Sequence, residues 1–201
     1  MPGSHAVMLY AGGERCYHSV PATNALLSLM CFHASRFEAR ISESGELVLY
    51  EDQDVSLWDA DWVRKGTYFL NCAATGDNVS KYHLEAAIAY WHTRKEDTQE
   101  KWEHILQCYN QLLQIAYSPM AALNRTFALA KANGIAVAVK EAEKLRLEDN
   151  HFYFTLLGEL YSGLDKKQAI AHLKQALVLA KNHSDRKIIQ QKLDRLLAVP
   201  S

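Results

Sequence analysis

The sequence predicts an all-α protein. Only four of its 201 residues are proline and nine are glycine, which leaves long stretches without helix-breaking residues. Apolar residues make up 49% of the chain and charged residues 22%, as in an ordinary globular domain. Apolar side chains also recur at helical spacing from about residue 21 onward. Together these observations predict helices packed on helices.

Residues 1–20 carry little pattern, and Gly3-Ser4-His5 is typical of a cloning remnant. We therefore predict one helical domain over residues 21–199, preceded by a tag-like or poorly patterned segment. The first helix begins at Pro21 and reaches about residue 40. Four apolar side chains lie on one side of it: Leu26, Leu27, Met30 and Phe37.

An extended segment is predicted near residues 46–50, where a short apolar run follows Ser44-Gly45. Glu51, Asp52 and Asp54 come directly after it, and no basic residue within the run offsets these three carboxylates. Two interpretations stay open. The carboxylates belong either to an acidic turn that caps a buried helix, or to a docking surface with Trp58 as its aromatic anchor.

A second helix is predicted over residues 57–74. Ser56 and Asp59 have the S-x-x-D spacing of a capping box, in which a hydroxyl and a carboxylate accept the free amides of a helix start. Gly66 lies within the apolar stripe of this helix. Because glycine has no side chain, another helix can cross closely at that position.

Helical periodicity continues to the C-terminus. Ser118-Pro119 is a helix-start signal and Asn133-Gly134 a helix-stop signal. The predicted helices cover residues 78–94, 102–116, 120–132, 135–145, 151–162, 166–181 and 185–197.

Beyond Glu100 the helices form hairpins that follow one another at roughly 34 residues, the period of tetratricopeptide arrays. One unit is similar to the consensus of that repeat, with a turn about one residue short, and its matching positions are Leu157, Gly158, Tyr161, Ala169, Leu173 and Ala176. The small residues among them allow the paired helices to approach. We therefore predict a tetratricopeptide-like, right-handed array of antiparallel hairpins with about eight helices.

No short motif of catalysis or cofactor binding is present: the chain has no Gly-rich phosphate loop, H-E-x-x-H, G-x-S-x-G or paired-cysteine zinc pattern. The nine histidines are scattered. A calcium loop at residues 51–54 would need further oxygen ligands at alternating positions and a glycine for the turn. We therefore predict no enzyme activity, no metal and no cofactor.

Asn124-Arg125 is a second candidate interaction site, inside the predicted helix 120–132. An arginine in the groove of a helical array can bind a carboxylate through two parallel hydrogen bonds. The alternative is an arginine that is tied to a glutamate or to a helix C-terminus of its own domain.

The net charge of −1 gives no global attraction to nucleic acid or membrane. The charge is uneven, since residues 1–100 contain 8 Lys and Arg against 14 Asp and Glu, and residues 101–201 contain 14 against 9. The four cysteines form no C-x-x-C pair, which favours reduced thiols in a cytoplasmic protein. No apolar run approaches the roughly 20 residues of a membrane-spanning helix.

Three segments occur together in the order and spacing of one family: LVLYEDQDVSLWD (47–59), YHLEAAIAYWH (82–92) and SPMAALNRTFALA (118–130). With the C-terminal ALVLAKNHSDRKIIQQKL, they resemble the tetratricopeptide-like C-terminal extension of certain bacterial extracytoplasmic-function (ECF) sigma factors. The resemblance covers about residues 22–197. It departs from the family at Thr126, where members commonly have alanine.

The resemblance implies a regulatory protein-interaction domain that binds the sigma core domains or RNA polymerase, through its groove and the surface at residues 51–58. The polymerase-binding and DNA-binding regions of a sigma factor are not in this sequence. DNA would therefore be reached only indirectly, through those missing domains.

Two alternatives stay open. The basic helix pair between Lys166 and Arg195, with Arg186, Lys187, Gln190 and Gln191, could bind nucleic acid directly. The concave side of the array could instead hold a small molecule among Trp91, Trp102 and Tyr109.

Overall fold

The computed structural model of the chain describes residues 20–42, 48–75 and 78–198. Within these ranges it contains nine α-helices, three 3₁₀ helices and no β-sheet, so the prediction of an all-α helical array is confirmed. The α-helices are α1 (Pro21–Ala34), α2 (Ala60–Ala73), α3 (Lys81–His92), α4 (Gln99–Ile115), α5 (Pro119–Asn133), α6 (Ile135–Leu145), α7 (His151–Tyr161), α8 (Lys166–Leu179) and α9 (His183–Ala198). The 3₁₀ helices are Glu38–Arg40, Tyr50–Asp52 and Val55–Leu57.

The chain divides into two compact units. The first comprises Met1–Asp97 with Gln114–Ala116, and the second Thr98–Leu113 with Tyr117–Ser201. The first unit contains α1, α2 and α3, and the second contains most of α4 and all of α5 to α9. Within the described ranges no helix is both long and apolar enough to cross a bilayer. The single domain boundary at residues 21–199 stays a prediction.

The first helix ends earlier than predicted, at Ala34 instead of near residue 40. The backbone carbonyl of Ser35 accepts a hydrogen bond from the N–H of Asp59 at 2.8 Å. A tertiary hydrogen bond therefore occupies the acceptor that a continuing helix would use. The chain then forms the 3₁₀ helix Glu38–Arg40.

The apolar side chains that mark the first helix in the sequence are exposed, and Phe37 lies beyond the end of α1. The exposed fractions are 37% for Leu26, 36% for Leu27, 59% for Met30 and 62% for Phe37. The opposite side is small and polar apart from one phenylalanine, and its buried residues are Asn24, Ala25, Ser28, Cys31 and Phe32. Helix α1 therefore packs through its small and polar side, and its two leucines are only partly covered.

Helix α1 crosses α2 closely at Gly66, as predicted for this glycine. A Cβ atom on Gly66 would lie 2.6 Å from Cε1 of Phe32, well inside van der Waals contact. The Ser28 hydroxyl donates a hydrogen bond to the Gly66 carbonyl at 2.8 Å. The Phe32 ring also packs on Tyr90 of α3, with centroids 5.8 Å apart. The three helices of the first unit therefore meet around Phe32.

The predicted capping box before α2 is wrong. The helix begins at Ala60, and its N-cap is Asp59, whose carboxylate accepts hydrogen bonds from the N–H groups of Asp61 and Trp62. Ser56 lies in the preceding 3₁₀ helix, Val55–Leu57, and therefore cannot cap α2. One aspartate makes both capping hydrogen bonds, and the start of the helix moves from residue 57 to residue 60.

The extended segment predicted near residues 46–50 is described only in part, because residues 46 and 47 lie outside the described ranges. Leu49 has an extended backbone, with φ −64° and ψ 153°. Tyr50 already belongs to the 3₁₀ helix Tyr50–Asp52. The extended part of the described chain is therefore shorter than predicted.

In the second unit α5 packs on α6 and α7 packs on α8, while α7 also packs on α5 and α9 on α8. The predicted small residues lie at the α7–α8 crossing, where a Cβ atom on Gly158 would be 2.6 Å from Cγ of Leu173. Ala169 and Ala176 are fully buried in the same contact. This hairpin therefore packs as the repeat consensus predicts.

The predicted start and stop signals of α5 are confirmed. The Ser118 hydroxyl accepts a hydrogen bond from the N–H of Ala121 at 3.1 Å. Gly134 follows the last residue of the helix with φ 96°, a left-handed conformation that favours glycine. The hairpin of α5 and α6 therefore turns at this glycine.

The prediction that all cysteines are reduced is wrong for Cys72, which is disulfide-bonded. Cys31 and Cys108 are free thiols. Burial raises the pKa of Cys108 to about 11, which keeps this thiol protonated at neutral pH.

Candidate functional site

The predicted acidic residues lie on the surface of the first unit. Glu51, Asp52 and Asp54 are exposed, in and directly after the 3₁₀ helix Tyr50–Asp52. Asp54 Oδ1 accepts hydrogen bonds from the hydroxyl of Ser56 at 2.7 Å and from its N–H at 2.8 Å. These bonds hold the pKa of Asp54 below its ordinary value. The position of the Asp54 carboxylate is therefore fixed by its neighbour.

Two aromatic rings lie beside these carboxylates. Tyr50 and Trp58 are half-buried, with ring centroids 6.2 Å apart and planes inclined by 34°. The Tyr50 hydroxyl donates a hydrogen bond to the carbonyl of His92 at 3.1 Å, and the Tyr50 and His92 rings pack edge to face at 5.0 Å. The end of α3 therefore holds Tyr50 in place.

The structure adds Arg36 to this site. Its guanidinium carbon lies 4.9 Å from the centroid of the Tyr50 ring and 5.5 Å from that of Trp58. Burial, and then the nearby charge of Arg40, lower the pKa of Arg36 to about 10, so the group stays charged at neutral pH. We call Arg36, Tyr50, Trp58 and the carboxylates of Glu51, Asp52 and Asp54 the Arg36 surface.

Arg36 was not predicted, because in the sequence it is one of several charged residues at the end of the first helix. Its position depends on the 3₁₀ helix Glu38–Arg40 and on the hydrogen bond between Ser35 and Asp59, which bring residues 50–58 back beside α1. In the sequence the arginine is more than ten residues from either ring, so no local pattern predicts that they lie together.

The second predicted site has a different environment. Asn124 is exposed, but Arg125 is tied within the second unit. The Nε atom of Arg125 donates to Oδ1 of Asn110 at 2.6 Å, and its Nη1 lies 4.0 Å from Oε2 of Glu141. This arrangement matches the structural alternative, in which partners within the domain hold the arginine. The two sets of predicted residues belong to different units.

A cavity of about 390 Å³ lies among α7, α8 and α9 in the second unit. Its lining includes Lys166, Lys192 and Arg195 of the predicted basic helix pair. The apolar side chains of Leu173 and Leu196 also line it. Lys192 forms an ion pair with Glu159, which also lines the cavity. Part of the positive charge is therefore neutralised within the unit.

The aromatic residues proposed for a small-molecule site do not all face solvent. Trp102 is 4% exposed and packs edge to face against Phe127, with centroids 5.5 Å apart. It belongs to the core between α4 and α5. In residues 20–42, 48–75 and 78–198 no three His, Cys, Asp or Glu side chains are close enough to hold a metal ion together.

Comparison with known proteins gives two similarities. The profile of a family of unknown function (DUF6596) matches residues 4–74, which include α1, α2 and the Arg36 surface. The match also covers most of the N-terminal segment that was predicted to be tag-like. An uncharacterized protein of Rhizobium meliloti (strain 1021) is 32% identical over 191 residues, which are 93% of this chain and 45% of that protein. The chain therefore spans about half the length of this relative. No solved structure matches the chain.

Proposed function

We propose that the chain is a regulatory protein-interaction domain of an ECF-type sigma factor, binding the sigma core domains or RNA polymerase. The observation that carries the proposal is the Arg36 surface, where half-buried Tyr50 and Trp58 and a stacked guanidinium lie beside exposed carboxylates. Tryptophan, tyrosine and arginine are the residues most enriched at the energetic centres of protein interfaces. The role in transcription comes from the family resemblance of the segments at residues 47–59, 82–92 and 118–130.

The length of the relative supports the same proposal. Because the matched region is 45% of that protein, more than half of its chain lies outside the similarity and leaves room for other domains. An accessory domain that acts on the rest of such a protein, or on its polymerase, would reach DNA only through those other domains.

We place the domain in the cytoplasm as part of this proposal, since RNA polymerase acts there. The disulfide at Cys72 makes this placement testable, because stable disulfides are uncommon in cytosolic proteins. Alkylation of free thiols in freshly lysed cells should label Cys72 if the protein is cytoplasmic. A Cys72 that stays unlabelled until reduction would contradict this placement.

The proposed interaction is tested by measuring the affinity of the domain for its cognate sigma core domains and for RNA polymerase. Trp58→Ala should weaken binding about 30-fold, the effect of losing a central aromatic anchor of about 2 kcal/mol. Asp52→Ala combined with Asp54→Ala should weaken it about fivefold, because exposed charges at an interface contribute less.

The matched control is Glu148→Ala with Asp149→Ala, which removes the same charge from exposed positions of the second unit. We expect it to bind as the unchanged protein does. Undiminished binding by the Trp58 and Asp52/Asp54 variants would contradict the Arg36 surface as the interface. No complex with either partner would contradict the proposed function.

Direct binding of nucleic acid by the helix pair between Lys166 and Arg195 stays open as the second candidate, although Glu159 already neutralises Lys192 of that pair. Two of its proposed base-reading residues are held within their own helix pair, since Arg186 donates to the carbonyls of Leu177 and Ala180, and Gln190 donates to Asp194. DNA affinity that falls steeply with added salt would support this candidate. We expect no measurable binding at low salt.

A further inference from the structure

We propose that Arg125 binds the carboxylate of a glutamate or aspartate on a protein partner. This contact rests on the proposed interaction role and adds to it a second surface, in the second unit. It also combines the two interpretations of this arginine that the sequence left open. Side chains of the same unit fix the guanidinium in place, and its two Nη groups stay accessible to a partner.

One hydrogen bond fixes the orientation of Arg125. Its Nε atom donates to Oδ1 of Asn110 on α4 at 2.6 Å. Because a guanidinium N–H can only donate, the Asn110 atom at this distance must be the amide oxygen. The amide is neutral, so it holds the arginine without cancelling its charge. The Arg125 side chain is 28% exposed and is therefore both oriented and accessible.

The two Nη groups of Arg125 make no hydrogen bond with the residues that the structure describes. A carboxylate of the same unit approaches them, with Oε2 of Glu141 on α6 lying 4.0 Å from Nη1. That distance is longer than a hydrogen bond. Neither Nη atom is among the buried polar atoms that lack a partner in the described ranges. Both groups are therefore open to solvent.

Glu141 is shared with a second cation. Its Oε1 accepts a hydrogen bond from Nζ of Lys144 at 2.5 Å. This hydrogen bond is the main cause that holds the pKa of Glu141 below its ordinary value, and the charge of Arg125 is the smallest cause. Two positive groups and one negative group leave the cluster of Arg125, Glu141 and Lys144 with a net charge of +1.

A planar carboxylate fits this end of the guanidinium. Nη1 and Nη2 can donate two parallel hydrogen bonds to the two oxygens of one carboxylate. A monoanion balances the excess charge of the cluster, whereas Glu141 would repel a phosphate dianion more strongly. Val137 lies one turn before Glu141 on α6 and is 47% exposed. A partner segment that carries an apolar residue next to its acidic residue therefore fits the surface.

Two blocked dipeptides provide the test: N-acetyl-Leu-Glu-amide and N-acetyl-Leu-Gln-amide, which differ in charge and have nearly the same shape. Titrations of the ¹⁵N-labelled full chain would follow the Arg125 Nε–H signal by nuclear magnetic resonance. We expect a saturable shift and about tenfold tighter binding of the Glu peptide, the effect of a charge-assisted pair of hydrogen bonds. The signal of the buried Arg36 Nε–H is the internal reference and should not move.

Glu141→Gln removes the carboxylate that competes with the peptide and keeps the shape of the side chain. We expect it to bind the Glu peptide about threefold tighter, the effect of losing one exposed ion pair. Glu148→Gln makes the same charge change at an exposed position of the same unit and should alter the affinity by less than about twofold. An unchanged affinity in Glu141→Gln, or an equal gain in Glu148→Gln, would overturn the proposal.

Arg125→Lys keeps the charge but loses the planar pair of donors. It should bind the two peptides about equally, as read from the backbone amide signals of α5. Arg64→Lys, at an exposed position of the first unit, should keep the tenfold preference. Equal affinity of the unchanged protein for both peptides would overturn the proposal, as would a tenfold preference kept by Arg125→Lys.

Two small anions test the choice of ligand on the same Arg125 signal. We expect acetate to bind more weakly than the Glu peptide, and inorganic phosphate to bind no tighter than acetate. Acetate that binds as tightly as the peptide would overturn the choice of a protein segment. Phosphate that binds tighter than acetate would overturn the choice of a carboxylate.

The peptide titration needs neither sigma core nor polymerase, so the two proposals can fail separately. A Glu preference that depends on Arg125, together with no complex with those partners, would keep the carboxylate site and contradict the sigma-factor role. A complex with unchanged affinity in Arg125→Lys would keep that role and overturn the carboxylate site.

Discussion

Phe32→Ala is expected to lower the free energy of unfolding by about 3–5 kcal/mol, the range for removing a fully buried aromatic ring. Phe32 is 1% exposed and contacts both α2, at Gly66, and Tyr90 of α3. Its loss would leave a cavity where the three helices of the first unit meet. Urea unfolding followed by circular dichroism gives the value, provided that the slope of the transition is unchanged.

Gly66→Ala tests the same contact from the other side. The added methyl would lie 2.6 Å from the Phe32 ring, which is packed on all sides, so we expect a loss of about 1–3 kcal/mol. In the double variant Phe32→Ala/Gly66→Ala the methyl enters the space that the ring vacates, and the loss should be smaller than the sum of the two. Additive losses would contradict the close crossing.

The control for this pair is Leu26→Ala, on the side of α1 that is 37% exposed. Because this side chain is only partly buried, its truncation should cost about 1 kcal/mol, clearly less than the loss of Phe32. A large loss at Leu26 would show that the exposed side of α1 is covered in solution.

Gly158→Val is expected to destabilise the second unit by about 3 kcal/mol, through overpacking of the α7–α8 contact. The first added carbon would lie 2.6 Å from Cγ of Leu173 and 3.3 Å from the backbone carbonyl oxygen of Ala169. Leu173 is 2% exposed and has little room to move. Thermal and urea unfolding would measure the change.

Gly163→Ala is the matched control. A Cβ atom on Gly163 would meet only Ile135 Cδ1 at 3.9 Å, an ordinary contact. We expect an unfolding free energy within about 0.5 kcal/mol of the unchanged protein. Equal stability of Gly158→Val and Gly163→Ala would contradict the helix packing described for α7 and α8.

Features determined by neighbouring residues were predictable from the sequence. Ser118-Pro119 and Asn133-Gly134 delimit α5 because capping and left-handed turns depend on one or two side chains. Gly158, Ala169 and Leu173 follow a repeat pattern whose spacing already encodes which residues touch. The all-α class followed from the same local signals.

Features determined by distant contacts were not predictable. The end of α1 depends on a hydrogen bond from Asp59 to Ser35, and the cap of α2 on the same aspartate, so spacing alone gave the wrong boundaries for both helices. At the candidate site the carboxylates and Trp58 were found because they are adjacent in sequence. Arg36 was missed, and the environment of Arg125 depends on Asn110, which lies on another helix.

The packing of α1 has an evolutionary consequence. Its inner side carries the fully buried Ala25 and Ser28, and Ser28 donates to the carbonyl of Gly66, so larger side chains at these positions would push neighbouring helices apart. Its outer side tolerates more change, above all at Met30, which is 59% exposed. Homologues are therefore expected to retain alanine, serine and glycine at these positions even where the hydrophobic pattern of the helix has disappeared.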